Sequence, residues 1–157
     1  MKKILVTGAG GPAGWNFIKS LRFSGEKMYI VATDVNKWHL EYLRDIADKH
    51  YLAPRCTEKN YISVLNEVIE SEGIELVHPQ PDIEVRVISE NREKIEATTF
   101  LPSKEAIRIA QDKFATAERL GKKGIPTPRT IFIRDDRLEE DVERAFEEFG
   151  SPIWIRA

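Results

Sequence analysis

Along the first hundred residues, short continuous apolar runs alternate with segments whose apolar positions recur every three or four residues. Lys3-Ile4-Leu5-Val6, Met28 to Thr33, Tyr51-Leu52-Ala53, Ile74 to His78 and Thr99-Phe100-Leu101 read as five strands. Between them lie helical patterns. Phe17, Ile18 and Leu21 share one face, and Leu40, Leu43 and Ile46 give a short helix over Trp38 to Asp48. Tyr61, Leu65, Val68 and Ile69 give a third helix, with Thr57 as its expected N-cap and Gly73 at its close; Val85 to Glu96 gives a fourth. Strands that are apolar throughout and separated by helices predict a parallel sheet covered on both faces, a doubly wound α/β fold of the Rossmann type.

The pattern changes at Pro102-Ser103. Ile107, Ala110, Phe114, Ala117 and Leu120 step by three and four, predicting one helix capped by Ser103 and stopping near Gly121. A rigid Gly124-Ile125-Pro126-Thr127-Pro128 turn leads to an expected strand at Thr130-Ile131-Phe132-Ile133. Leu138 to Phe149 reads as an amphipathic helix, with Leu138, Val142, Ala145, Phe146 and Phe149 inward and its acidic residues on a solvated face. Gly150 closes it, and Ser151 to Ala157 reads as the start of another strand. A strand with no partner after it is expected of a domain cut open, the front of a longer polypeptide. Two domains are therefore expected, residues 1–102 and an incomplete one over 103–157.

Composition narrows the partners. The 157 residues carry 24 basic and 26 acidic side chains with no extended basic run, so bulk electrostatics recruit neither nucleic acid nor an anionic membrane. No apolar run is long enough to span a bilayer, and the N-terminus opens directly into a strand with no signal-peptide core, which predicts a cytoplasmic protein. The single cysteine, Cys56, excludes an internal disulfide and a thiolate metal cluster, and reads as a small structural residue.

The chemistry concentrates at two strand ends. Thr7-Gly8-Ala9-Gly10-Gly11-Pro12-Ala13-Gly14 places four glycines within seven positions between a strand and a helix. Free backbone N–H groups and the positive end of the helix dipole make such a turn an anion cradle, with Pro12 suited to the first helical position. Asp34, about 20 residues further on, stands where a dinucleotide-binding unit keeps its ribose-binding carboxylate. A cap on the turn Asp34-Val35-Asn36 is an equal reading. After the fourth strand comes His78-Pro79-Gln80-Pro81-Asp82-Ile83-Glu84, at the edge where open parallel sheets bind ligands. His78 reads first as a hydrogen-bonded structural histidine. Asp82 and Glu84 read as first-turn acids of a helix rather than a catalytic pair, and Asp82 also stands where a residue would line a ligand.

Two families share parts of this sequence. Thr7 to Gly14 with Asp34 fits the T-G-x-x-G-x-x-G pattern of extended short-chain dehydrogenases, which implies an NAD(P)-binding module. Those enzymes need a Tyr and a Lys four apart, and Tyr29, Tyr42, Tyr51 and Tyr61 all lack that lysine. The run from Pro102-Ser103-x-x-Ala106 through Asp112-Lys113, Gly124-Ile125-Pro126-Thr127-Pro128 and Pro152-Ile153-Trp154-Ile155-Arg156 resembles the ATP-grasp superfamily, especially the carbamoyl phosphate synthetase large subunit and its stand-alone relatives. That resemblance covers the whole chain. It implies a Rossmann-like pre-ATP-grasp domain followed by the truncated start of an α+β ATP-grasp domain.

The resemblance also implies roles. Lys113 and Arg156 match the family's two basic residues that reach ATP, and Gly8, Gly10 and Gly11 would offer N–H groups to a carboxylate or phosphate on the acceptor substrate; the implied partner is a small-molecule carboxylate or amine. In the complete protein, ATP and Mg would activate a carboxylate as an acyl phosphate for attack by an amine or other nucleophile. The glycine-rich lid and metal ligands of the family fall outside these 157 residues, so no catalytic or metal-binding residue is assigned within them. Association through the truncated domain, or a homodimer, is expected. A non-catalytic ligand-binding or scaffold domain stands as the alternative from another class.

Overall fold

A computed structural model describes residues 1–155, which divide into two compact units, Met1–Ile107 and Arg108 onward. The first unit is a five-stranded parallel sheet: β1 (Lys2–Thr7), β2 (Met28–Asp34), β3 (Lys49–Leu52), β4 (Leu76–Pro79) and β5 (Thr98–Thr99), in the order β3-β2-β1-β4-β5. β1 is central, pairing Thr7 with Thr33 on one side and with Pro79 on the other. The order reverses between β1 and β4, which makes their carboxyl ends the switch point of the sheet.

Alternate residues of the strands feed two cores. Ile4, Val6, Ile30 and Ala32 pack with Ile18 of α1 (Pro12–Phe23) and Leu40 and Leu43 of α2 (Lys37–Leu43). Leu5, Val31 and Val77 pack on the opposite face with Tyr61, Leu65, Val68 and Ile69 of α3 (Tyr61–Glu72) and Ile88 of α4 (Asp82–Glu90). Burial on both faces is why the strands carry no polar alternation. The doubly wound Rossmann-like fold expected from the apolar pattern is the fold observed.

Element ends differ from expectation where side chains intervene. α2 stops at Leu43, not Asp48, because Asp48 joins the sheet: its N–H donates to Ile30 O, and its carboxylate accepts from Ile30 N and from Arg22. Thr57 does not cap α3, which begins at Tyr61 after a turn in which the Glu58 side chain accepts from Arg55 N. Ile74 belongs to the end of α3, donating to Ile69 O behind the left-handed Gly73, so β4 starts at Leu76. The fourth helix ends at Glu90, where Asn91 bonds Val87 O and a 3₁₀ turn follows over Arg92–Lys94. The fifth strand is Thr98–Thr99 rather than 99–101, and Phe100 is exposed.

One feature at the amino end of the sheet gave no sequence signal. Glu72, the last residue of α3, is buried, and its carboxylate accepts from Tyr29 Oη at 2.7 Å, Lys49 Nζ at 2.8 Å and Tyr51 Oη. Lys3 Nζ donates to the Glu72 carbonyl at 2.6 Å. These donors come from the beginnings of β1, β2 and β3 and clamp them to one helix end. The lysine and the two phenols hold the Glu72 carboxyl at about 2, below its ordinary 4.5.

In the second unit the single expected helix is two. α5 (Lys104–Gln111) begins in the first unit, with the Ser103 side chain accepting from Ala106 N as expected. α6 (Lys113–Gly121) restarts after Asp112, whose extended backbone lets its carboxylate accept from Ala115 N at 2.9 Å. Thr130 to Ile133 and Ser151 to Ile155 form no regular secondary structure and, among the described residues, belong to no sheet. A strand exists only through a ladder, and among the described residues none pairs with them. α7 (Leu138–Phe149) has the expected bounds but a different buried side: Leu138 and Phe146 are exposed, while Asp141 is buried. Asp141 accepts from Arg134 Nε at 2.9 Å and from the second guanidinium nitrogen at 2.7 Å, which holds its carboxyl well below the usual carboxylate range. Among the described residues no helix is long and apolar enough to cross a membrane.

Candidate functional site at the carboxyl end of the sheet

The glycine turn sits at the switch point, and the structure assigns its glycines different duties. A Cβ on Gly10 would lie 2.2 Å from His39 Cβ, and one on Gly8, where φ is +56°, would lie 2.2 Å from Pro81 Cγ. A Cβ on Gly14 would strike the Ala9 backbone at 2.6 Å. These three glycines allow close packing of the turn against α2, the start of α4 and itself. Gly11 is different: its nearest neighbour would be Gly8 O at 3.6 Å, so this position is open.

The backbone donors expected to face a ligand at Gly10 and Gly11 are turned inward. Gly10 N donates to Asp34 Oδ2 at 2.9 Å, Gly11 N to Gly8 O at 3.3 Å, and Ala9 N to Thr33 O at 3.0 Å. Trp15 N takes Gly11 O and Pro12 has no N–H, leaving Ala13 and Gly14 as the orphan donors of α1. Asp34 is committed as well. Its buried carboxylate accepts from Gly10 N and from Asn36 N at 2.9 Å and meets His39 Nδ1 at 3.1 Å. Of the two readings left open for Asp34, the turn cap is realised, and the same carboxylate ties β2 to the glycine turn.

Across the switch point, Asp82 and Glu84 part company. Asp82 is exposed at the first position of α4, whereas Glu84 is buried beneath Gly8, with Oε1 3.7 Å from the place of a Gly8 Cβ. Glu84 is thus the first-turn acid its spacing suggests, but a buried one. Burial pushes its carboxyl up, Asp34 adds to the rise, and the Thr7 and Tyr61 hydroxyls oppose it. Burial and Glu84 together push the Tyr61 phenol far up. Thr7 Oγ1, Thr33 Oγ1, Tyr61 Oη and Glu84 Oε2 are all buried without a hydrogen-bond partner. Cys56, on the turn before α3, is partly buried beside them, and burial raises its thiol. His78 stacks on Phe17 at 3.8 Å on the other face, and burial lowers its pKa.

The two candidate nucleotide contacts are separate from this cluster in the chain. Lys113 is exposed at the first position of α6, and Arg156 lies outside the described residues. Among the described residues no group of three or more His, Cys, Asp or Glu side chains is placed to hold a metal ion. Among the described residues, Lys113 is the one expected nucleotide contact present, with no metal-holding carboxylate group.

Solved structures with the same fold are carboxylase components. The biotin carboxylase domain of the Hydrogenobacter thermophilus 2-oxoglutarate carboxylase, in complex with MgADP, ADP and bicarbonate, is 23% identical with a TM-score of 0.64, over 96% of this chain and 33% of that one. The biotin carboxylase subunit of a pyruvate carboxylase is 18% identical with a TM-score of 0.57, over 97% and 34%. The biotin carboxylase domain of a single-chain bacterial carboxylase is 15% identical with a TM-score of 0.61, over 100% and 36%. This chain therefore spans about a third of the length of the carboxylase chains it matches, and at these identities the likeness is one of fold. Residues 4–101, which hold the whole sheet beyond its first two residues, match the family described as PylC-like, N-terminal domain. The chain belongs to the PylC-like N-terminal domain family, the Rossmann-like part that opens ATP-grasp proteins.

Proposed function

We propose that this chain is the N-terminal portion of an ATP-dependent ligase of the ATP-grasp type, related to the carbamoyl phosphate synthetase large subunit. Residues 1–102 would serve as the pre-ATP-grasp domain and residues 103–157 as the opening of the ATP-grasp domain. The observation that carries this reading is the PylC-like match over residues 4–101, supported by folds in common with carboxylases that extend through the second unit. The reaction would activate a carboxylate as an acyl phosphate for displacement by an amine or other nucleophile, with Lys113 and Arg156 as nucleotide contacts. When bound, ATP and Mg supply the phosphoryl group and its charge neutralisation.

In this reading the carboxyl end of the sheet receives the acceptor substrate. Gly11 is the open approach to the first turn of α1, whose Ala13 and Gly14 N–H groups attract an anionic group; Gly8, Gly10 and Asp34 shape that turn, and Asp82 lines its far side. The protein would work in the cytoplasm on small molecules. A homodimer is part of the proposal, the Hydrogenobacter thermophilus domain being described as a dimer.

The dinucleotide alternative meets a geometric obstacle. A ribose needs the Asp34 carboxylate, which already accepts from two backbone N–H groups, and a pyrophosphate needs the close approach that His39 and Pro81 occupy. Calorimetry of the 157-residue chain with MgATP, NADH and NADPH tests the choice. No tight dinucleotide binding is expected. Micromolar NADH affinity abolished by Asp34→Ala would overturn the ligase reading.

A further inference from the structure

Nearly all buried polar atoms in folded proteins have a hydrogen-bond partner, so four unpartnered ones at the carboxyl end of one sheet call for an explanation. Thr7 and Thr33 are in register on neighbouring strands and project from the same face of the sheet as Leu5 and Val31. Tyr61 of α3 and Glu84 of α4 close the space from that side. The residues are between 1% and 6% exposed. The Thr7 and Tyr61 hydroxyls lie close enough to Glu84 for hydrogen bonding to lower its carboxyl, yet Thr7 Oγ1, Tyr61 Oη and Glu84 Oε2 have no partner in hydrogen-bond geometry. The oxygens are gathered but not joined.

We propose that Thr7, Thr33, Tyr61 and Glu84 form a receptor for a primary ammonium group of the substrate, beneath the glycine turn. The assignment follows from what the four oxygens lack. An ammonium brings three donors and one positive charge, meeting Glu84 Oε2 and hydroxyl lone pairs together. A water molecule would satisfy the hydroxyls and a protonated Glu84, but only a cation offsets the charge of the ionised carboxylate. The groups that act on Glu84 are Thr7, Tyr61 and Asp34; none is a cation. The titratable neighbours are Tyr61 on α3, Cys56 on the turn before it and Asp34 at the end of β2. Burial raises the cost of ionising Glu84, and an arriving cation lowers it.

The approach is also built. Gly8 has no side chain between the turn and Glu84, and the Pro81 ring covers the gap from the two-residue link between β4 and α4. Entry requires that ring to swing away from Gly8. The inference rests on reading the carboxyl end as the acceptor-substrate site, and it narrows that substrate to one bearing an amine.

The test uses the whole chain labelled with ¹³C at its glutamates and titrated at pH 4.5, where a carboxyl raised above that value still holds its proton, with methylammonium chloride, and with sodium chloride as the ionic-strength control. The Glu84 carboxyl resonance is expected to move saturably to its carboxylate position. Calorimetry in buffers of different ionisation enthalpy should show proton release on binding. Glu84→Gln should weaken binding about tenfold or more, and Thr7→Val, which keeps the shape of the side chain, should weaken it less. No saturable shift, an equal response to sodium chloride, or a response to ammonium chloride but not to methylammonium would overturn the proposal. Should Glu84→Gln not fold, the wild-type resonance and Thr7→Val decide. None of these readouts requires nucleotide. Methylammonium binding in a chain that never takes MgATP would retain this receptor and remove the ligase reading, and MgATP binding without a Glu84 response would do the reverse.

Discussion

The two ends of the sheet each bury a glutamate, and they treat it in opposite ways. At the amino end, Glu72 is ringed by Lys49, Tyr29 and Tyr51, with Lys3 on its carbonyl. At the carboxyl end, Glu84 lies among Thr7, Tyr61 and Asp34 with one oxygen unpartnered. The first is a completed network whose carboxyl is driven down to about 2; the second is an incomplete one whose carboxyl is driven up. A satisfied buried charge holds elements together, whereas an unsatisfied one costs stability and is tolerated where it serves binding. The contrast puts a completed network at one end of the sheet and an incomplete one at the other.

The largest effect should come from breaking the satisfied end. Glu72→Gln weakens the charge-assisted hydrogen bonds from Lys49, Tyr29 and Tyr51 and should destabilise the chain by about 3 kcal/mol in urea denaturation; a cost within experimental error would show that the clamp is ornamental. The pH dependence has a definite sign. Because the native pKa lies below 4.5, the contribution of Glu72 is complete above that value and is lost as pH falls from 4.5 to about 2. Wild type and Glu72→Gln should therefore converge in stability across that window.

A smaller effect should separate the glycines at the other end. Gly10→Ala places a methyl against His39 Cβ and should cost about 2 kcal/mol. Gly11→Ala meets open space and should stay within about 0.5 kcal/mol. Equal costs would mean that the whole turn is scaffold and that Gly11 is no approach to a ligand.

The smallest effect should have the opposite direction. The raised Glu84 pKa means that the native state holds its proton more tightly than the unfolded chain, so this group lowers stability as pH rises above 4.5. Glu84→Gln should remove that slope, leaving the variant about 1 kcal/mol more stable than wild type at pH 8 and equal to it at pH 4. A variant that is less stable at pH 8 would show that Glu84 is already satisfied there, and the contrast between the two ends would disappear.

Local pattern was enough for the doubly wound sheet, Pro12 at the start of α1, Gly73 at the end of α3 and the bounds of α7. Each depends on a period of two or 3.6, or on a backbone freedom written into one residue type. The linked turn and helix patterns after Ser103 also carried the ATP-grasp resemblance. What they left undetermined depends on contacts between residues far apart in the chain. Asp112 divides a helix whose apolar spacing is continuous, and Thr130 to Ile133 remains without a ladder because pairing needs a second segment in place. Glu72 and Asp141 look like ordinary surface acids until Lys49 and Arg134 meet them.

The same separation applies to the feature that organises the chain. From sequence, Thr7 to Gly14 is a strand-turn-helix anion cradle, because glycine spacing and a helix start are local facts. Only the folded sheet decides which glycines are open. Asp34 takes the Gly10 N–H, His39 and Pro81 take the space beside Gly10 and Gly8, and Gly11 alone faces outward. The fate of Glu84 is likewise tertiary: two positions from Asp82, it is turned under the loop by the helix and buried by strands whose sequence lies 50 residues or more away. Hydrophobic periodicity is encoded in neighbours, but the desolvation of a carboxyl is set by everything packed around it.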